Sequence, residues 1–225
     1  MFVCWSSKGG SGTTVVSSAL ALLLARTGPT LLVDLCGDAP AALGCSEPAG
    51  PGVADWVRSP NSDLAALARL TESVTDGLEL LPRGSGALTA PERWAELAQA
   101  LRAVDATVVV DAGTGSPHPS LLDDDDHSLL VTEACYLSLR RAVVAPTRPT
   151  GVILVHEHGR ALGVVDVERA LGVPVVAHVP YDPLVWRSVD AGLLAARVPA
   201  SLENSLAALV VHPLVDAPAS GGEDE

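Results

Sequence analysis

Lys8-Gly9-Gly10-Ser11-Gly12-Thr13-Thr14 is the stretch that decides how this chain is read. A short apolar run, Phe2-Val3-Cys4-Trp5, precedes it, and a long apolar helical pattern, Val15 to Arg26, follows. Strand, glycine-rich turn and helix form the setting in which backbone N–H groups close around an anion. The positive end of the new helix points at the same spot. The general pattern G-x-x-x-x-G-K-[ST] fails at two positions here. Ser7 stands where the first glycine belongs, and Thr13 stands where a lysine should follow Gly12. A lysine is present, but early in the loop, at Lys8.

Working outward, Gly28-Pro29 stops the first helix, and Thr30-Leu31-Leu32-Val33 reads as a fully buried parallel strand ending at Asp34. A loop rich in Gly, Pro and Ala spans Cys36 to Gly52. A short helix is expected at Val53 to Val57 and another at Asn61 to Glu72, with Asn61 or Ser62 as its cap. Leu78 to Leu81 reads as a strand, and Thr89-Ala90-Pro91-Glu92 as the start of a helix running to about Ala103. Ala106 to Val110 is the next strand, again ending in an aspartate, Asp111. Strands at Ser128 to Thr132, Gly151 to Val155 and Val173 to Val179 follow. They alternate with helices at Tyr136 to Ala145, Val164 to Leu171, Pro183 to about Ala191 and Ser201 to Val211. Seven strands alternating with helices predict one α/β domain, residues 1–215. Its sheet is a doubly wound, mostly parallel one with helices on both faces. The acidic tail, residues 216–225, is expected to be disordered.

Composition excludes several partners. The net charge is −13, from 27 acids against 14 bases. Nucleic-acid affinity rests on clustered Lys and Arg, so no direct DNA binding is expected. The last helix has no Lys or Arg after Arg197, so no membrane anchor is expected there. The four cysteines, Cys4, Cys36, Cys45 and Cys135, have no C-x-x-C spacing, which fits a reducing cytoplasm better than a zinc site. Cys36 has no basic neighbour in sequence and reads as an inert loop thiol. The run Asp123 to Asp126 reads as a solvated acidic loop.

In open α/β sheets, ligands sit beyond the carboxyl ends of the strands. Asp34, Asp111 and the glycine loop therefore converge on one crevice. Thr14, Asp34 and Asp111 are the candidate Mg²⁺ ligands for a bound nucleotide. The alternative is that each aspartate only caps its own turn.

Taken together, Lys8 to Thr14, Leu31-Leu32-Val33-Asp34, Val108-Val109-Val110-Asp111 and Val179-Pro180-Tyr181-Asp182 resemble the ParA/MinD-like P-loop ATPases. Their loop reads K-G-G-x-G-K-T-T. Asp38 to Leu43 and Pro51 to Val57 look most like divergent actinobacterial members and like the CpaE/TadZ proteins of pilus and secretion systems. The resemblance covers Met1 to Val211. It implies a homodimer with ATP or ADP and Mg²⁺, acting through protein partners. It also implies that Lys8 reaches across the dimer to the partner's phosphates, that Thr14 binds Mg²⁺ and that Asp111 holds the metal through water. The loop Pro180 to Asp182 would lie beside the adenine.

Three departures from the family matter. Thr13 removes a positive charge from the phosphates. The family's second strand ends in D-x-D, and here the second aspartate is Cys36, which cannot orient water as a carboxylate does. Asp38, two residues on, could substitute if the loop shifted. His156 stands where the family has an adenine-recognising asparagine. The expectation is weak or vestigial nucleotide binding, or none, with little or no hydrolysis. An active ATPase using Asp38 and a nucleotide-free structural module are the alternatives.

Overall fold

The computed structural model describes residues 1–60, 63–88, 93–156 and 159–211. It has one eight-stranded sheet, in the order β3-β4-β2-β5-β1-β6-β7-β8. The strands are β1 Phe2–Ser6, β2 Thr30–Asp34, β3 Glu72–Thr75, β4 Leu78–Leu81, β5 Thr107–Thr114, β6 His127–Glu133, β7 Gly151–His156 and β8 Val175–Pro180. All neighbours pair in parallel except β3 and β4. The expected doubly wound, mostly parallel architecture is therefore present, with one strand more than the seven anticipated.

The helices are α1 Thr13–Leu24, α2 Ala39–Leu43, α3 Val53–Arg58, α4 Leu64–Ala68, α5 Trp94–Arg102, α6 Tyr136–Val143, α7 Val164–Leu171, α8 Pro183–Asp190 and α9 Ala200–Val211. Strand alternation sorts the core. Phe2, Cys4, Leu32, Val109, Leu129 and Ile153 face the layer made by α1, α2, α8 and α9. Val3, Leu31, Val33, Val108 and Val110 face α3 to α5, while Trp5, Leu130 and Leu154 face α6 and α7. Helix α1 is apolar all round because it is enclosed. Leu20, Leu22, Leu23 and Leu24 are all buried, each worth about 2 kcal/mol.

The extra strand corrects one expected helix. Helix α4 spans only Leu64–Ala68, with the Asp63 carboxylate accepting from the Ala66 N–H at 2.7 Å. Glu72 instead opens β3, which pairs antiparallel with β4. Between them lies Asp76-Gly77, with Gly77 at φ 81°. An Asp-Gly pair between β-branched and apolar residues is a hairpin signal, and it overrides the weak helical pattern before it. The Cys36 to Gly52 loop also contains α2, which starts at Asp38 and closes on Gly44 at φ 78°. The Asp123 to Asp126 run is only partly solvated. Asp126 is buried, 3.2 Å from the N-terminal ammonium and bonded to Arg102, so its charge ties β6 to the chain start and α5.

Asn61, Ser62, Thr89 to Glu92, Glu157, His158 and the tail lie outside the described residues. No described helix is long and apolar enough to cross a membrane.

Candidate functional site

Central β1 lies between β5 and β6, where the connections part to opposite sides of the sheet. Its carboxyl end is the crevice such folds use. The glycine loop turns there. Gly10 and Gly12 adopt φ 79° and 80°, a left-handed backbone that a side chain would strain. Gly12 then starts α1, its carbonyl accepting from the Val16 N–H. Ser7 replaces the pattern's first glycine without penalty, because no described non-glycine residue has positive φ. Its hydroxyl instead donates to the Ser138 carbonyl at 2.9 Å and anchors the loop to α6. The Ser6 and Ser11 hydroxyls both reach the Lys8 carbonyl, at 2.9 and 3.1 Å.

The loop forms one wall of a cavity of about 310 Å³, lined by Gly10 to Val15, Cys36, Asp38, Gly113, Thr114 and Trp186. A second space of about 190 Å³ adjoins it, between Gly10, Ser11, Glu133, Val155, Arg160, Tyr181 and Trp186. Together they have the shape of a phosphate cradle opening onto an aromatic-edged side pocket.

The two candidate aspartates stand side by side, paired in register between β2 and β5. Both are fully buried. Asp34 Oδ1 accepts from the Cys36 and Gly37 N–H groups at 2.8 and 2.7 Å, and Oδ2 accepts from the Ala39 N–H at 3.1 Å. Burial raises its pKa against the pull of those donors. Asp111 is served less fully. Its Oδ1 accepts from the Gly113 N–H at 3.1 Å, and Oδ2 has no hydrogen bond. Burial pushes its pKa up to about 6. The nearby Thr14 hydroxyl offsets part of that rise without making a well-formed bond to Oδ2.

Cys36 Sγ points at the Asp111 carbonyl, 3.7 Å away. Burial and the carboxylates of Asp111, Asp34 and Asp38 push its thiol up to about 12. As expected of an inert cysteine, it is a thiol at neutral pH. Asp38 lines the cavity, on the turn wound around Asp34.

Lys8 is tied within its own chain, its Nζ 3.4 Å from Glu133 at the end of β6. A half-buried pair of this kind is worth under about 1 kcal/mol, so a phosphate could compete for the lysine. Thr13, where a phosphate lysine would stand, is 7% exposed at the first turn of α1.

Tyr181 borders the side pocket, while Pro180 and Asp182 line a smaller hollow with Gly12, Val155 and Trp186, and Asp182 is chiefly a cap. Its carboxylate accepts from the Leu184 N–H at 2.8 Å and the Ser201 hydroxyl at 2.7 Å, contacts that hold its pKa low. His156 is not among the residues lining these spaces. Its ring lies 5.2 Å from that of His178, on the sheet face opposite Val155. One residue of strand alternation exchanges the expected histidine for Val155 on the pocket wall.

Trp186 was missed by sequence reasoning. It is 37% exposed, packs 5.9 Å from Tyr181 and edges both spaces. Its signal was an aromatic residue on the short helix directly after Pro180-Tyr181-Asp182.

The sheet order and the glycine turn define a P-loop fold. No protein-family model matches the chain. Over 205 residues it is 27% identical to an uncharacterized ATP-binding protein of Methanocaldococcus jannaschii, covering 83% of this chain and 76% of that protein. The structure resembles the ParA family ATPase of Chlorobium tepidum with a TM-score of 0.76 at 18% identity, over 94% of this chain and 98% of that one. It also resembles the septum site-determining protein MinD of Pyrococcus horikoshii, a complex with Mg-ADP. That match has a TM-score of 0.71 at 19% identity, over 93% of each chain. The fold is that of the ParA/MinD ATPases.

Proposed function

We propose that this chain is a ParA/MinD-like positioning or regulatory protein, a homodimer of 1–215 domains acting in the cytoplasm through protein partners. It binds ATP or ADP with Mg²⁺ weakly and hydrolyses it little or not at all. The carrying observation is the cradle itself: an intact glycine turn and helix start, with a neutral Thr13 and a protonated Cys36 where catalysis needs a cation and a carboxylate. Backbone N–H groups can still hold phosphate. Phosphoryl transfer depends on charge placed around the moving group, and losing one such donor costs about 10²–10³ in rate. A CpaE/TadZ-like role, localising a secretion or pilus machine, fits the degenerate loop best.

One observation favours a second reading. Asp38 already faces the phosphate cavity, so an active ATPase could use it in place of the missing acid. Titration with a fluorescent ATP analogue, with and without Mg²⁺, followed by phosphate release, separates the readings. Binding without release is expected. Turnover that disappears in Asp38→Asn would establish the second reading, and absence of both binding and release would leave a nucleotide-free module. Thr13→Lys should tighten ATP binding at least about tenfold, the worth of one charged hydrogen bond. Hydrolysis should stay poor until Cys36→Asp is added. Full turnover from Thr13→Lys alone would show that Cys36 does not occupy the water-orienting position.

A further inference from the structure

The ends of β2 and β5 bring together three groups that can hold a metal ion. One carboxylate oxygen each from Asp34 and Asp111 and the Sγ of Cys36 all lie within 4.8 Å of one another. Acidic clusters are common, and this one is set apart by what surrounds it. Asp111 is fully buried, and its Oδ2 has no hydrogen-bond partner. Each oxygen of Asp34 can accept two bonds. Oδ1 has two N–H donors, but Oδ2 has only the Ala39 N–H and keeps one position open. A buried carboxylate oxygen left bare costs about 1–3 kcal/mol, so native proteins rarely leave one without a purpose.

The charges point the same way. Asp34, Asp38 and Asp111 crowd the thiol, and Arg83 is the cationic group whose field reaches it. The facing loop lines the cavity with hydroxyls, those of Ser11, Thr13 and Thr14, and Lys8 is paired with Glu133. Gly113 leaves the space that the sulfur fills, since a Cβ there would stand 2.0 Å from Sγ. The hollow at Gly113 thus accommodates the sulfur within 4.8 Å of an oxygen of each carboxylate. Cys36 also lines the 310 Å³ cavity, so a fourth ligand, water or an anion, can reach the cluster from that side.

We propose that Asp34, Cys36 and Asp111 form a protein-only site for a thiophilic divalent cation of the zinc class, occupied without nucleotide. Mg²⁺ prefers oxygen ligands in octahedral array, whereas one thiolate with two carboxylates and an open position suits zinc or cobalt. Zn–S of about 2.3 Å and Zn–O of about 2.0 Å place tetrahedral ligands about 3.5 Å apart. From spacings of up to 4.8 Å, the three groups must close in by as much as about 1.3 Å. As the metal–sulfur bond forms, the thiol proton leaves to solvent.

The test uses the full chain at neutral pH with cobalt(II) alone and no nucleotide. The expected result is one bound cobalt per chain with an intense near-ultraviolet thiolate-to-cobalt band, bleached by Zn²⁺. Cys36→Ser should lose the band. Asp111→Asn should keep it but bind about tenfold or more weakly. Circular dichroism confirms that each variant is folded. If a variant does not fold, the wild-type protein decides alone, because Zn²⁺ must then slow alkylation of Cys36, read by peptide mass. No band in the wild type, a band that survives Cys36→Ser, or an alkylation rate indifferent to Zn²⁺ would overturn the site. Since nucleotide is absent throughout, failure here leaves the ATP-binding proposal standing, and failure of ATP binding leaves this site standing.

Discussion

Asp34 and Asp111 occupy the same place on neighbouring strands, yet the turns that follow them do different work. Each aspartate ends an apolar β-run, each is buried, and each is followed by a glycine with a left-handed backbone, Gly37 at φ 96° and Gly113 at φ 66°. After β2, three backbone N–H groups converge on the carboxylate, two on Oδ1 and one on Oδ2. After Asp111, β5 itself continues to Thr114 past a bulge against β1, and only Gly113 N–H reaches the carboxylate. Asp34 is thus mainly architecture, and Asp111 carries an oxygen left open for chemistry. Identical residues at matched strand ends acquire different roles from how much of the following backbone turns back to meet them.

Breaking the first turn should have the largest effect. Asp34→Ala removes the acceptor of three N–H donors in a largely enclosed loop, and each unsatisfied donor costs about 1–3 kcal/mol. Partial access of water leaves an expected loss of about 3–5 kcal/mol in chemical denaturation. The turn also sets Asp38 and α2, so the near-ultraviolet spectrum should change as well. A loss below about 1 kcal/mol would mean that the turn holds itself by other bonds.

Asp111 should behave in the opposite sense. Its folded pKa, about 6, lies above the ordinary value of 3.8. The folded chain therefore holds this proton more tightly than the unfolded chain does. The resulting stability is fully present below about pH 4 and is lost as pH rises through about 6. Asp111→Asn mimics the neutral form. At neutral pH it should be more stable than wild type by up to about 3 kcal/mol, and at about pH 4 the two should match. Equal stability of the pair across that range would remove the case for an electrostatically strained Asp111.

The sequence made much of this legible, and the failures are physical. Apolar β-runs ending in Asp34 and Asp111, and a glycine turn between a strand and an apolar helix, were enough for the sheet, the crevice and the cradle. These signals are local and repeat along the chain. Strand β3 was hidden because its residues, Glu72-Ser73-Val74-Thr75, lie on an edge, where burial is slight and the alternation faint. Asp126 was read with its acidic neighbours because only the fold brings Arg102 and the chain start to it. A strand end gives no clue to which of its last residues lines the adjoining space, and here that residue is Val155. Trp186 and Asp38 reach the cavity through turns whose direction depends on Asp34 and Asp182 accepting particular N–H groups.

The smallest predicted effect is the sharpest test of the contrast between the two turns. Gly37 and Gly113 both have positive φ, so alanine at either carries the left-handed backbone penalty of about 1 kcal/mol. They differ in surroundings. Beyond its own chain neighbours, a Cβ on Gly37 meets Arg83 Cδ, at 3.5 Å, an ordinary contact. A Cβ on Gly113 would stand 2.0 Å from Cys36 Sγ, while Cys36 Cβ remains 3.5 Å away. Gly37→Ala should therefore cost about 1 kcal/mol, and Gly113→Ala about 2–3 kcal/mol. In a Cys36→Ala background the overlap vanishes and only the backbone term remains. The double-mutant cycle should then return a coupling of about 1–2 kcal/mol between positions 113 and 36. Equal costs at the two glycines, or no coupling to Cys36, would show that the sulfur does not fill the hollow beside Asp111.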